Sequence, residues 1–164
     1  MSLNIYMMLM NLWLVPVDER SYQATLAEPV DLSGWDGRPD DFPEEARVWG
    51  VRTDPEQGSW ERNRRNLELM LPGDALLFYR NSQSRYTASG RVGPWAHTEY
   101  IRDEFWEGGP ALDVYVVEDF DDSLVVERET VNRLLGYDAT FWPRGLWGVS
   151  DDRPTDRVLR RFDI

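Results

Sequence analysis

Residues 47 to 80, RVWGVRTDPEQGSWERNRRNLELMLPGDALLFYR, constrain the fold more than any other part of the chain, because three elements follow one another there with almost no spare residues. Arg47 to Arg52 alternates as a strand does, and Asp54, Pro55 and Gly58 break the extended run. A helix is expected next, with Ser59 as N-cap and Glu61 in the first turn, where a negative charge meets the exposed amide end. Trp60, Leu67 and Met70 fall near one helical face, Pro72-Gly73 ends the helix, and Ala75 to Tyr79 begins a strand. The stretch reads as the scaffold of a binding site.

The flanks supply the remaining elements. Leu12 to Val17 reads as a buried first strand, and Asp18 can cap a short helix through Tyr22 and Leu26 that Pro29 stops. Residues 29 to 46 make a turn-rich crossing that Trp35 and Phe42 pin to the body. Asn81 to Arg85 is a polar turn, Tyr86 to Val92 returns as a strand, and Gly90 inside it suggests a bulge or a close backbone approach. An unusually aromatic loop then leads from Pro94 through Ile101 and Trp106 to the Gly108-Gly109-Pro110 break. Ala111 to Glu118 is a strand, Phe120 to Val126 another short one, and Thr130 to Leu135 a helix with Gly136 as its left-handed terminus. Phe141 to Val149 forms a last loop and strand before an amphipathic tail, Arg153 to Ile164.

About six short strands interrupted by short helices indicate an α+β fold with a small curved sheet or open β-barrel. A doubly wound sheet needs regular strand and helix alternation, and no Gly-rich phosphate loop follows any strand. With no internal repeat and no interdomain linker, residues 11 to 164 read as a single domain and residues 1 to 10 as an N-terminal extension. The apolar run Leu3 to Val17 has no basic segment ahead of it and ends at Pro16 and Asp18, which fits neither a signal peptide nor a membrane span.

Charge narrows the partners. The chain has 30 acidic and 18 basic residues, a net charge of -12, and ordinarily that counts against nucleic acid. Every basic residue is arginine, and acidity of this kind resembles a halophilic proteome adapted to a salt-rich cytoplasm. At about 1 M salt the Debye length is roughly 3 Å, so only close contacts with a polyanion matter. The basic residues are also uneven: residues 47 to 91 carry 8 Arg against 5 acids, a local sum of +3 in an otherwise acidic chain.

One histidine, no cysteine and no lysine remove most catalytic kits, including thiolate nucleophiles, Schiff-base lysines and P-loops. The lack of cysteine is compatible with the cytoplasm. His97 with Glu99 is too small a set for a metal site, and the paired acids Glu44-Glu45, Asp121-Asp122 and Asp151-Asp152 read as surface charge. What remains in excess is tryptophan, eight residues at 13, 35, 49, 60, 95, 106, 142 and 147. A core does not need so many, so several should line a groove or pocket, while Trp13, Trp35 and Trp147 read as core. Aromatic walls beside arginine suit an unstacked base, since stacking on a side chain is worth roughly 1 to 3 kcal/mol.

VWGVR followed by NRRNLELMLPGDALLFY resembles the EVE and YTH families of the PUA-like superfamily, and the later FWEGGPALDVYVVED is similar to the cage tryptophan and strand of YTH domains. The resemblance spans roughly residues 11 to 150 and is best from 47 to 92. It implies a barrel-like, noncatalytic domain without a cofactor that takes one flipped, often methylated base of DNA or RNA into an aromatic cage, alone or in the service of a restriction nuclease, motor or RNA-processing partner. By motif, Trp49 and Trp106 match cage positions, whereas Ile101 stands where some YTH domains carry an aromatic residue. Trp60, Trp95 or Tyr79 can complete the wall, Asp18 or Glu19 can read a base edge, and Arg52, Arg62, Arg64, Arg65, Arg80 and Arg85 can hold phosphates. A protein-interaction or small-ligand module using the same pocket is the alternative.

Overall fold

The computed structural model describes residues 10 to 164, so the expected N-terminal extension lies outside the described residues except for Met10. In chain order the elements are β1 (Leu12–Val17), α1 (Glu19–Thr25), β2 (Val30–Asp31), β3 (Glu45–Arg52), α2 (Trp60–Leu69), β4 (Ala75–Arg80), β5 (Arg85–His97), α3 (Tyr100–Phe105), β6 (Ala111–Asp121), β7 (Val126–Glu127), α4 (Arg128–Leu135), β8 (Trp147–Gly148) and α5 (Thr155–Phe162). Contacts divide them into two compact units, each assembled from separate stretches of chain.

The first unit comprises the stretch ending at Val17 together with Gly73–Arg91 and Asp119–Ile164. Here β1 runs parallel to β4, from Leu12 opposite Ala75 to Val17 opposite Arg80. Leu12 to Val15 are all buried, as expected of a strand covered on both faces. One face, with Leu12, Leu14, Leu77, Tyr79 and Tyr86, packs on Val131 and Leu135 of α4 and on Val158, Leu159 and Phe162 of α5. The Pro72-Gly73-Asp74 turn is held by its acid: the buried Asp74 carboxylate accepts from Trp13 Nε1 at 3.0 Å and from the Asn11 backbone N–H at 3.3 Å. Gly73 sits at φ +88°, a conformation that favours glycine.

The second unit comprises Asp18–Pro72 and Val92–Glu118. Its centre is the antiparallel pair β3 and β6, with Val48 opposite Val116, Trp49 opposite Tyr115 and Val51 opposite Asp113. One face of this pair, through Ala46, Val48, Val114 and Val116, packs with Leu32, Trp35, Phe42 and Ile101. Trp35 pins the 29 to 46 crossing as expected, edge-on to Phe42 and stacked on Tyr100 at 5.5 Å. Asp18 caps α1, its carboxylate accepting from Ser21 N–H at 2.9 Å.

The strands are ordered β2-β3-β6-β5-β4-β1-β8 in an eight-stranded, mostly antiparallel sheet, with β7 beside β5. The fold is α+β, and the sheet is an open path among the described residues rather than a closed barrel. The expected count of about six strands falls short because β2 and β7 are two-residue strands, too brief for an alternation pattern to register, whereas β8 lies within the expected last strand of Phe141 to Val149.

Several local expectations need correction. The aromatic loop from Pro94 is not a loop throughout: β5 continues to His97, and Tyr100–Phe105 is helical. Phe120 to Val126 is not a separate strand, since β6 runs on to Asp121 and pairing resumes only at Val126. The β4–β5 irregularity falls between Phe78 and Tyr79, while Gly90 keeps regular register with Leu76. Ser59 makes no side-chain capping bond to α2. Trp147 is not core: it is 41% exposed, with its Nε1 donating to Tyr137 Oη at 3.0 Å.

Candidate nucleic-acid interface

The second face of β3 and β6 carries the chemistry. Directly paired residues of an antiparallel ladder share a face, and alternate residues along a strand do too, so Trp49, Val51, Asp113 and Tyr115 all point the same way. Asp113 is fully buried and takes three partners. Arg64 Nη1 of α2 donates to Asp113 Oδ1 at 2.8 Å, His97 Nδ1 of β5 lies 3.0 Å from the same oxygen, and Thr53 Oγ1, just past β3, donates to Oδ2. Arg64 also holds Glu68 at 3.1 Å and lies over the Trp95 ring, 5.0 Å from its centroid. Burial works against the Arg64 charge, but the hydrogen bond to Glu68 and the attraction of Asp113 outweigh it and raise its pKa.

The helix α2 is fixed over this face by a second polar link, Asn63 Nδ2 donating to the Arg52 carbonyl at 2.8 Å. Beside α2 and on β6, the buried Asn63 Oδ1 and Tyr115 Oη have no hydrogen-bond partner among the described residues. Burial pushes the Tyr115 hydroxyl pKa up, so it stays a neutral donor or acceptor.

Trp106 reaches the same region from the opposite side. Strand alternation turns Gly50 away from the Trp49 face, and a Cβ at Gly50 would lie 2.7 Å from Trp106 Cζ3. The Trp106 ring therefore lies directly on the glycine, and its rim meets Trp49, with ring centroids 6.1 Å apart at 68°. Trp49 is only 7% exposed in this arrangement. Trp106 Nε1 is buried without a partner among the described residues. After Trp106 the chain passes through three residues with positive φ, Glu107, Gly108 and Gly109, and Glu107 is ion-paired with Arg20 of α1.

The other residues singled out by sequence are distributed as follows. Trp95 is 40% exposed under Arg64, and Trp60 is half-buried at the start of α2. Ile101 is fully buried in the core on the opposite face from Trp49. Tyr79, Arg80 and Arg85 belong to the first unit, where Tyr79 is core beside Trp142 and Arg85 is ion-paired with Glu127 at 3.0 Å. Asp18 is engaged as the α1 cap, and Glu19 accepts from Gln23 Nε2 at 2.9 Å. Arg52, Arg62 and Arg65 are exposed. Sequence reasoning passed over Asp113, Thr53 and Asn63; an acid inside the otherwise apolar LDVYVV strand was the available signal for the first. No group of three or more metal-ligating side chains occurs among the described residues, and no helix among them is long and apolar enough to cross a membrane.

No family model and no curated protein matches the sequence. Solved structures do match in fold. The N-terminal domain of Thermococcus gammatolerans McrB bound to m5C DNA aligns with a TM-score of 0.63 and 15% identity, over 93% of this chain and 97% of that one. A mutant ZmASCH protein from Zymomonas mobilis aligns with a TM-score of 0.54 and 8% identity, over 91% of this chain and 96% of that one. The chain shares its fold with both.

Proposed function

We propose that the chain is a noncatalytic reader of a modified base in DNA, with Trp49 and Trp106 as the two walls that receive the flipped base. The observation that carries this reading is the ring contact between these two tryptophans, which come from distant strand and loop positions and meet beside Gly50. The likeness in fold to a domain bound to m5C DNA supports it. The barrel-like curvature implied by the sequence resemblance, and a nuclease or motor protein acting on the bound DNA, belong to the same reading.

The physical requirements are modest and mutually consistent. A methyl group offers no hydrogen bond and is recognised by burial, worth about 0.8 kcal/mol for a group of that size. Flipping the base costs a few kcal/mol, which stacking of roughly 1 to 3 kcal/mol per ring and hydrogen bonds to the polar edge offset. Rings inclined at 68° do not sandwich a base, so Trp106 swings on the Glu107-Gly108-Gly109 hinge as the base enters. The exposed Arg52, Arg62 and Arg65 then contact flanking phosphates, which position the strand without reading sequence.

The test is titration of the full chain with oligonucleotides that differ only in one cytosine or 5-methylcytosine, followed by tryptophan fluorescence. The methylated strand is expected to quench more strongly and bind more tightly. Trp49→Ala and Trp106→Ala, checked for folding by circular dichroism, are expected to lose at least tenfold in affinity, the loss of about one stacking wall. Unchanged binding in both variants overturns the proposal.

A further inference from the structure

His97 is an unusual side chain for its surroundings. It is 61% exposed, yet its Nδ1 is held 3.0 Å from a carboxylate that is itself completely buried. A solvated surface imidazole needs no such partner. The arrangement fixes a proton on the inward nitrogen, because an ionised carboxylate only accepts and the contact therefore requires Nδ1–H. In the neutral ring, which carries a single N–H, that leaves a lone pair on Nε2. The carboxylate cannot turn away to release the ring, since Arg64 holds the same oxygen and Thr53 holds the other.

The neighbourhood suits a planar ligand. Trp95 lies two residues earlier on β5, and the Arg64 guanidinium occupies one face of its ring. Trp95 as a whole is 40% exposed, enough to offer a stacking surface beside His97. His97 and Arg64 converge on Asp113, which shares its sheet face with Trp49, and Trp95 lies against Arg64.

We propose that His97, positioned by Asp113, accepts a hydrogen bond through Nε2 from the exocyclic amino group of the recognised base, so that the site takes amino bases of the cytosine or adenine type and rejects thymine and uracil. This inference rests on the base-reading function argued above. The reason for rejection is electrostatic as well as geometric: a carbonyl oxygen in place of the amino group sets two acceptors against each other, and neither is satisfied. The Asp113 contact supplies the tautomer, and Trp95 supplies the surface against which the base edge is aligned.

The test uses the full chain and three single-stranded oligonucleotides identical except at one position, which is cytosine, 5-methylcytosine or thymine. Cytosine against 5-methylcytosine varies the methyl group alone. Thymine keeps that methyl group and exchanges the amino group for a carbonyl. The parent chain is expected to bind 5-methylcytosine at least about tenfold more tightly than thymine, in line with one good edge contact. His97→Ala is expected to remove that preference by weakening 5-methylcytosine alone, and His97→Gln, whose side-chain carbonyl still accepts, to retain part of it. A parent that prefers 5-methylcytosine over cytosine but binds thymine equally well overturns the His97 assignment and leaves the methyl reading intact. Equal loss on all three strands in His97→Ala overturns it too, because that is the behaviour of a phosphate contact or of damaged folding. No preference between cytosine and 5-methylcytosine overturns the base-reading function and the inference with it.

Discussion

Asp113 is the residue on which the second unit turns, and its energetics follow from its burial. A carboxylate out of water is costly unless charge and hydrogen bonds compensate it, and here Arg64, Thr53 and His97 supply that compensation from three different segments. Removing it strands Arg64 over Trp95 with Glu68 as its remaining ionic partner. Asp113→Ala is therefore expected to destabilise the chain by about 2 to 3 kcal/mol in urea unfolding, less than the 3 to 5 typical of a broken buried pair because Arg64 is partly exposed. Asp113→Asn keeps an acceptor and should lose less. A change below about 0.5 kcal/mol in Asp113→Ala would show that the three contacts contribute nothing net, as many surface pairs do. Asp113 stood out in the sequence only faintly, by its place inside the apolar LDVYVV strand. It is one of 30 acids, and the alternation of its strand shows only that it shares a face with Tyr115, not that the face is covered.

At the scale of elements, the β3 to β4 scaffold was the most legible part of the molecule, because strand alternation, a helical apolar face and a Pro-Gly turn each leave a local pattern. The structure bears out β3, α2 and β4 within a few residues, and it also accounts for Asp74 as the acceptor for Trp13. What local pattern did not reveal depends on distant partners. Nothing near Gly50 in sequence indicates that Trp106 lies on it, and nothing near Pro94 shows that β5 continues to His97, since Pro and Trp there look like loop residues until β6 is beside them. Gly50 gives the element-level prediction. A methyl group there would sit 2.7 Å from Trp106 Cζ3 and 2.9 Å from Ala111 Cβ, too close for either to stay in place. Gly50→Ala is expected to cost about 1 to 3 kcal/mol through overpacking and to displace Trp106 from Trp49. The readout specific to the second effect is tryptophan emission, which should shift to the red as the rings become wetter. A variant with parent-like emission and parent-like stability would mean that the ring settles elsewhere without cost.

For the whole molecule, half of the arginines in the stretch that looked like a basic island are engaged with other parts of the chain. Of its eight arginines, Arg47 donates to the Leu26 carbonyl, Arg64 to Asp113, Arg91 to the Gly73 carbonyl, and Arg85 is ion-paired with Glu127. Composition cannot separate a guanidinium that braces a loop from one that meets a ligand; only the partners can. The exposed Arg52, Arg62 and Arg65 remain as the proposed phosphate contacts on a chain whose net charge is -12. Two opposite salt dependences follow. Self-repulsion among the acids destabilises the compact state at low ionic strength, so the unfolding midpoint is expected to rise between about 0.05 and 1 M salt as the Debye length falls below about 10 Å. Binding should move the other way but gently: about three phosphate contacts on a single strand give a slope of log K against log salt near −2, from roughly −0.7 per contact. Thermal unfolding across the salt series checks the first, and titration of one methylated strand at four or more salt concentrations checks the second. A slope steeper than about −4 would require more cationic contacts than these three residues provide, and would bring the arginines now braced within the fold into the interface.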